Sequence, residues 1–125
     1  MVILDTNIII DHLRREKQES HYIRLIKNIP QEDLAISILS IQELYQGLST
    51  RDSKNEEILL AILSPLTILS YTYDIAQLAG KIARDLNRTI EFPDTAIAAT
   101  AIVNGCQLYT LNKKDFHSIK KLDLI

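Results

Sequence analysis

Apolar and polar residues fall along this chain in blocks that change period. Val2–Leu4 is a short apolar run that stops at the polar triplet Asp5, Thr6, Asn7, and it predicts a buried strand. Ile9, Ile10 and Leu13 then share one side of a helix from Ile8 to about Glu16. Tyr22, Ile23, Leu25, Ile26 and Ile29 recur at helical spacing and predict a helix over Ser20–Asn28, stopped by Pro30. "LAIS" over Leu34–Ser37 reads as a second strand. "SIQELYQGL" follows as a helix beginning near Ser40 with Gly47 near its end, and Asn55–Leu63 as a helix closed by Pro65. β-Branched content marks Leu66–Tyr71 as a third strand. Asp74 is the expected cap of a long helix to about Asn87, striped by Ile75, Leu78, Ala79, Ile82, Ala83 and Leu86. A further helix starts at Pro93–Asp94, and Gly105 stands where the glycine after a helix belongs. "CQLYTL" is a fourth strand and the terminal "LDLI" a candidate fifth.

The strands are short, apolar and without alternation, as when both sheet faces are covered, and helices separate them. This order predicts a three-layer α/β/α sandwich around a short, mostly parallel sheet of four to five strands, as one domain over residues 1–125. In such a sheet a ligand is expected beyond the carboxyl ends of the strands, at the point where strand order reverses.

Composition narrows the classes. Hydrophobic residues make up 46% and charged residues 24%, a globular balance. No apolar run approaches the ~20 residues of a membrane span. The N-terminus has neither a basic leader region nor a small-residue cleavage site, so no signal peptide is expected and a cytoplasmic location follows by default. The single cysteine, Cys106, excludes an internal disulfide and is expected to be a small buried hydrophobe. A net charge of −2 argues against a general electrostatic coat for nucleic acid. It leaves room for a nuclease, since carboxylates that hold metal ions count as negative until loaded.

The acids sit where chemistry is expected. Asp5 follows the first strand, Glu43 the second strand, Asp94 opens the helix before the fourth strand, and Asn112 and Asp115 follow that strand. Each has a duller role when taken alone: Asp5 and Asp94 as helix-start acids, Glu43 as the partner of Ser40 in a capping box, Asp115 as a turn residue, with Asp11 facing solvent. Taken together they can converge, and converging carboxylates repel unless a cation neutralises them. An all-oxygen donor set suits Mg²⁺ or Mn²⁺, and His12, His21, His117 and Cys106 form no zinc pattern. Such acidic sites are typical of phosphodiester hydrolysis.

In order and spacing, "MVILDTNIIIDHL", "LAISILSIQELYQGL" and "FPDTAIAATAIVNGCQLYTLNKKDF" resemble the PIN-domain family, and within it the VapC-type toxins of bacterial toxin–antitoxin pairs. The resemblance implies a Mg²⁺- or Mn²⁺-dependent endoribonuclease acting on tRNA or ribosomal RNA. The family's acids map to Asp5, Glu43 and Asp94. At the fourth acidic position this chain has Asn112, with Asp115 three residues on. On that mapping Asp5 and Asp94 hold the primary metal, Glu43 orients and helps deprotonate water, and Asp115 with Asn112 completes the acidic wall. Asn7 and Thr110 orient carboxylates or phosphate oxygens, while Arg14, Arg15, Lys113 and Lys114 meet the RNA backbone. The resemblance also implies a homodimer and a VapB-type antitoxin that lays a helix over the toxin and pushes a basic or bulky side chain into the acidic pocket. Segments 20–29 and 54–63, notably Tyr22, Ile26, Ile58 and Leu59, are the expected apolar surface for it.

Other readings of the same acids fare less well. A phospho-acceptor receiver needs an acid at the end of a middle strand, and "LTILSY" has none. A phosphatase using Asp as nucleophile expects "DxD", and Asn7 removes the second acid. A catalytically silent PIN-like interaction module is the remaining alternative.

Overall fold

The computed structural model describes residues 1–15 and 18–125. The expected end of the first helix at Glu16 lies outside them. β1 (Val2–Leu4), β2 (Leu34–Ser37), β3 (Thr67–Leu69) and β4 (Gln107–Tyr109) form a four-stranded sheet in the order β3-β2-β1-β4, every neighbour parallel. Seven α-helices are described around it: α1 (Thr6–Arg14), α2 (His21–Ile26), α3 (Ile38–Gln46), α4 (Ser53–Leu63), α5 (Tyr73–Asp85), α6 (Phe92–Val103) and α7 (Lys113–Phe116). The expected parallel α/β/α sandwich is what forms.

The pleat divides β1 between two cores. Val2 and Leu4 join Leu34 and Ile36 of β2 against Ile8, Ile9, Tyr22, Leu25, Leu44, Leu59, Ile62 and Leu63 from α1 to α4. Ile3 points the other way, with Leu108 of β4, into a core built from Ile97, Ala98 and Ala101 of α6 and Phe116 of α7. Ile75 and Ala79 of α5 close on Ala99 of α6, where small side chains allow the two helices to approach. Because β1 is buried on both sides, its three residues carry no polar group, and the first polar side chain after it emerges at the carboxyl edge of the sheet.

Several boundaries differ from the sequence reading. The α3 helix starts at Ile38 under a cap from Ser37, whose Oγ accepts from the Leu39 N–H at 3.1 Å. Ser40 is therefore a buried residue of the helix interior, and the Ser40–Glu43 capping box does not form. Thr72, not Asp74, caps α5, accepting from the Ile75 N–H at 3.3 Å, and the helix ends at Asp85. The terminal "LDLI" makes a single parallel bridge, Leu108 with Leu124, and is no fifth strand. Asp11 faces inward: it accepts from Arg15 Nε at 2.8 Å and from both the backbone N–H and Nδ1 of His21 at 3.1 Å. Burial alone would raise its pKa, but these hydrogen bonds prevail and lower it to about 2. Gly105 behaves as expected, at φ 65° with the Cys106 N–H reaching back to the Ala101 carbonyl at 2.9 Å, which ends α6 and turns the chain into β4. Cys106 is buried in the second core, as expected.

Candidate active site

Strand order sets the site. The chain lays down β1, β2 and β3 outward in one direction, then returns to place β4 on the far side of β1. Register pairs Leu4 with Tyr109, so the residues that leave the two strand ends, Asp5 and Thr110, are neighbours at the reversal point. The Asp5 N–H donates to the Tyr109 carbonyl at 2.9 Å, extending the ladder by one bond.

Asp5 is only 5% exposed. It starts α1 in extended backbone (φ −68°, ψ 150°), yet its side chain caps nothing. Its Oδ2 instead accepts from Thr110 Oγ1 at 2.7 Å. Thr110 Oγ1 in turn accepts from the Asn112 N–H at 3.0 Å and from Asn7 Nδ2 at 3.4 Å, while Asn7 Oδ1 accepts from the Leu111 N–H at 3.3 Å. Thus Asn7 and Thr110, the two expected orienting residues, tie the start of α1 to the turn after β4 and hold Asp5 in place. Burial pushes the Asp5 carboxyl above its ordinary pKa. Hydrogen bonds from Thr110 and the Thr6 backbone oppose this, and the charges of Glu43 and Asp115 add to it.

Asp94 lies in the first turn of α6, where Pro93 fits because that turn needs no N–H. A helix N-terminus ordinarily favours a negative charge. Here burial, followed by the charges of Asp5, Glu91, Asp115 and Glu43, pushes the Asp94 pKa up to about 6. Four carboxylates therefore act on one, which is the electrostatic sign of convergence. Asp94, Asp115, Glu91 and Asn112 line an open cleft of about 420 Å³, with Arg88 at its edge. Asp115 comes from α7, three residues beyond Asn112, and lines the same cleft.

Glu43 stands on the other side of Asp5. Its Oε1 accepts from the Thr6 hydroxyl at 2.7 Å, and Thr6 Oγ1 also lies 2.8 Å from Ser40 Oγ. Thr6 and Ser40 are buried; Ser40 is expected from sequence only as a helix cap, and Thr6 has no expected role in the site. Two small hydroxyls on otherwise apolar helix faces were the only signal. Glu43 opens into a second groove of about 340 Å³, walled by Ile10, Leu13, Arg14, Leu44 and Leu48.

The structure thus brings Asp5, Glu43, Asp94 and Asp115 into electrostatic range of one another. Among the described residues, however, no three His, Cys, Asp or Glu side chains stand close enough to ligate one ion together. The donor set is oxygen only, held on rigid elements around the buried Asp5. That chemistry fits Mg²⁺ or Mn²⁺, which binds through one or two carboxylates and keeps several waters. Of the expected basic residues, Arg14 lines the groove beside Glu43, and Lys113 and Lys114 lie exposed beyond Asn112. Arg15 is held on Asp11 and on Gln18 Oε1 at 3.1 Å and lines none of these clefts.

Thr110→Val keeps the shape of the buried threonine but removes the hydroxyl that donates to Asp5. If the chain cuts RNA as the resemblance implies, we expect a cleavage rate lower by about tenfold to a hundredfold, since one positioned hydrogen bond to a charged group carries about 1.5–3 kcal/mol, and a lowered melting temperature, since the Asn112 N–H and Asn7 amide lose their acceptor. Single-turnover cleavage alongside a thermal melt checks it. Unchanged cleavage excludes the positioning role.

Comparisons with known proteins converge on one family. A family profile described as "PIN domain" matches residues 2–122. Ribonuclease VapC19 of Mycobacterium tuberculosis is 38% identical over 120 residues, covering 93% of this chain and 92% of that protein. Ribonuclease VapC1 of Rickettsia felis is 35% identical over 135 residues, covering 99% and 94%. Among solved structures, DNA-bound VapBC from Salmonella typhimurium superposes with a TM-score of 0.85 at 26% identity, over 99% of this chain and 96% of that one. VapBC2 from Rickettsia felis, bound to a promoter DNA fragment, gives 0.83 at 27%, over 99% and 96%.

Proposed function

Since this chain belongs to the PIN-domain family, alongside the VapC ribonucleases it matches, we propose that it is a divalent-metal-dependent endoribonuclease, the toxin of a toxin–antitoxin pair. The observation that carries the reading is the gathering of acids at the carboxyl edge of the sheet: Asp5 is buried and held by Thr110, Asp94 and Asp115 line the adjoining cleft, and the charges of Asp5, Glu91, Asp115 and Glu43 add to burial in pushing Asp94 up to about 6. Such mutual repulsion is what a bound cation relieves.

In this reading Asp5 and Asp94 hold Mg²⁺ or Mn²⁺, with Asp115 and Asn112 completing the wall of the cleft. Such a cation would supply neutralisation of the acids, polarisation of the scissile phosphate and a more acidic water. Thr110 and Asn7 keep the Asp5 carboxylate oriented. Thr6 occupies Glu43 Oε1, which leaves Oε2 to orient the attacking water and take its proton. Attack forms a P–O bond to the water oxygen as the bond from phosphorus to the 3′-oxygen breaks. A 5′-phosphate and, after protonation, a 3′-hydroxyl result. Lys113, Lys114 and Arg14 meet the RNA backbone, where basic side chains set register without reading sequence. Loops of tRNA or ribosomal RNA are the proposed targets.

A VapB-type antitoxin is the proposed partner, supported by the superposition on VapBC from Salmonella typhimurium and VapBC2 from Rickettsia felis. The groove of Ile10, Leu13, Leu44 and Leu48 ends at Glu43, so an apolar helix carrying a basic side chain matches it in both character and charge. This relocates the surface expected from segments 20–29 and 54–63: Tyr22 is 2% exposed and Leu59 0%, both committed to the core, while Ile58 stays exposed. Tyr73 at 79% and Phe92 at 65% exposure, at the starts of the packed pair α5 and α6, favour a second copy of the chain as a further partner. Among the described residues no helix is long and apolar enough to cross a membrane.

The test is direct. Purified protein incubated with a tRNA pool is expected to cut with Mg²⁺ or Mn²⁺, to stop with chelator, and to lose at least about 10²-fold in rate as Asp5→Asn. A folded wild-type protein that cuts no RNA with either metal, while still binding a partner, returns the reading to a silent interaction module.

A further inference from the structure

On the opposite side of Asn112 from the acidic cleft lies an open cleft of about 480 Å³, lined by His21, Tyr109, Thr110, Leu111, Asn112, Lys113 and Lys114. Its character is the reverse of its neighbour's. None of the residues lining it is an acid, whereas Glu91, Asp94 and Asp115 line the other. Asn112 lines both clefts, so they adjoin at that residue.

The basic pocket is more than two surface lysines. His21 belongs to the first turn of α2 and is held from behind by Asp11 of α1, whose Oδ2 lies 3.1 Å from both the His21 N–H and Nδ1. Asp11 is fully ionised at neutral pH, so its carboxylate only accepts. Nδ1 must therefore carry the proton it shares with Asp11. That fixes the ring, and Nε2 has no hydrogen-bond partner among the described residues. A ring held this way presents the Nε2 lone pair as a hydrogen-bond acceptor. The Asp11–Arg15–His21 knot also joins two helices that share one core, so the pocket wall is rigid.

We propose that this cleft is a phosphate subsite for the RNA strand, binding the phosphate next to the scissile one between Lys113 and Lys114, with His21 Nε2 accepting from the adjoining ribose 2′-hydroxyl. The assignment rests on the ribonuclease reading for its ligand. It adds to it a residue, His21, and a path for the strand from the acidic cleft over Asn112. Charge segregation supports that path: the acids need a metal before they can accept a phosphate, and the adjoining cleft accepts one without.

Binding without cleavage tests it. The probe is a fluorescein-labelled single-stranded oligoribonucleotide, titrated by anisotropy in chelator against protein carrying Asp94→Asn. Lys113→Ala/Lys114→Ala is expected to weaken binding about tenfold and to reduce the salt slope by about 1.4, two contacts at about 0.7 each. His21→Ala is expected to weaken it about fivefold. Arg24→Ala removes a charge from the same helix, but Arg24 lines no part of this cleft and is expected to change nothing. A loss with Arg24→Ala equal to that with the two lysines, or no loss with the lysine pair, overturns the subsite. If His21→Ala melts early, the exposed lysine pair still decides. Cleavage by the wild type in Mg²⁺ is read separately. Its absence with the binding pattern intact removes the nuclease and keeps the subsite; its presence with the pattern lost does the opposite.

Discussion

Asp94→Asn lowers RNA cleavage by at least about 10³-fold, some 4 kcal/mol of barrier, and leaves the protein folded. The first half follows from where Asp94 sits: in the first turn of α6, on the wall of the acidic cleft, beside the buried Asp5. The second follows from its electrostatics. With its folded pKa raised from 3.8 to about 6, Asp94 favours the folded state most below pH 4 and loses that contribution as pH rises through about 6. At neutral pH its charge is a burden on the metal-free fold, and asparagine removes the burden while keeping the shape. We therefore expect the variant, in chelator, to melt at or above the wild-type temperature at pH 7.5. The wild-type decline between pH 4 and 6 should be smaller in the variant. An unfolded Asp94→Asn protein shows instead that the residue is mainly a helix-start acid.

Adding Mg²⁺ or Mn²⁺ to the chelated wild-type protein raises its melting temperature, by about 10 °C at a hundredfold excess over Kd. Only a ligand that binds the folded state stabilises it this way. The fold supplies the reason for binding, since the cation replaces repulsion among Asp5, Asp94 and Asp115 with attraction. Protons compete for the same carboxylates. The shift is accordingly expected to shrink at pH 5, below the raised pKa of Asp94, and to vanish in Asp5→Asn. A melting temperature indifferent to both metals at pH 7.5 removes the cation from the site, and with it the hydrolytic reading.

The chain's block pattern was enough to read the sheet. Val2–Leu4 and Leu34–Ile36 carry no polar residue, as a strand covered on both faces requires. Gly105 has a sharp chemical reason to end α6, because only a residue tolerant of φ 65° closes that turn. Helix starts were less legible. Ser37 and Ser40 are both competent caps, and which one caps α3 depends on where β2 stops pairing with β1 and β3. "LDLI" has the composition of a strand, but it makes only one bridge beside Leu108.

Within the site, acids that follow strand ends or sit in the adjoining helices marked Asp5, Glu43, Asp94 and Asp115 as candidates. Their arrangement could not be read from the sequence. That Asp5 leans on Thr110, 105 residues away, follows from β4 pairing with β1 on the side away from β2. That Glu43 hangs from Thr6, and that Asp11 turns inward to hold His21 when its spacing suggested solvent, depends on how α1 packs against α2 and α3. Local pattern decides which side chains are polar and roughly which element carries them. Only long-range packing decides which polar atoms share a hydrogen bond, because burial requires each to find a partner and the partner is chosen by topology.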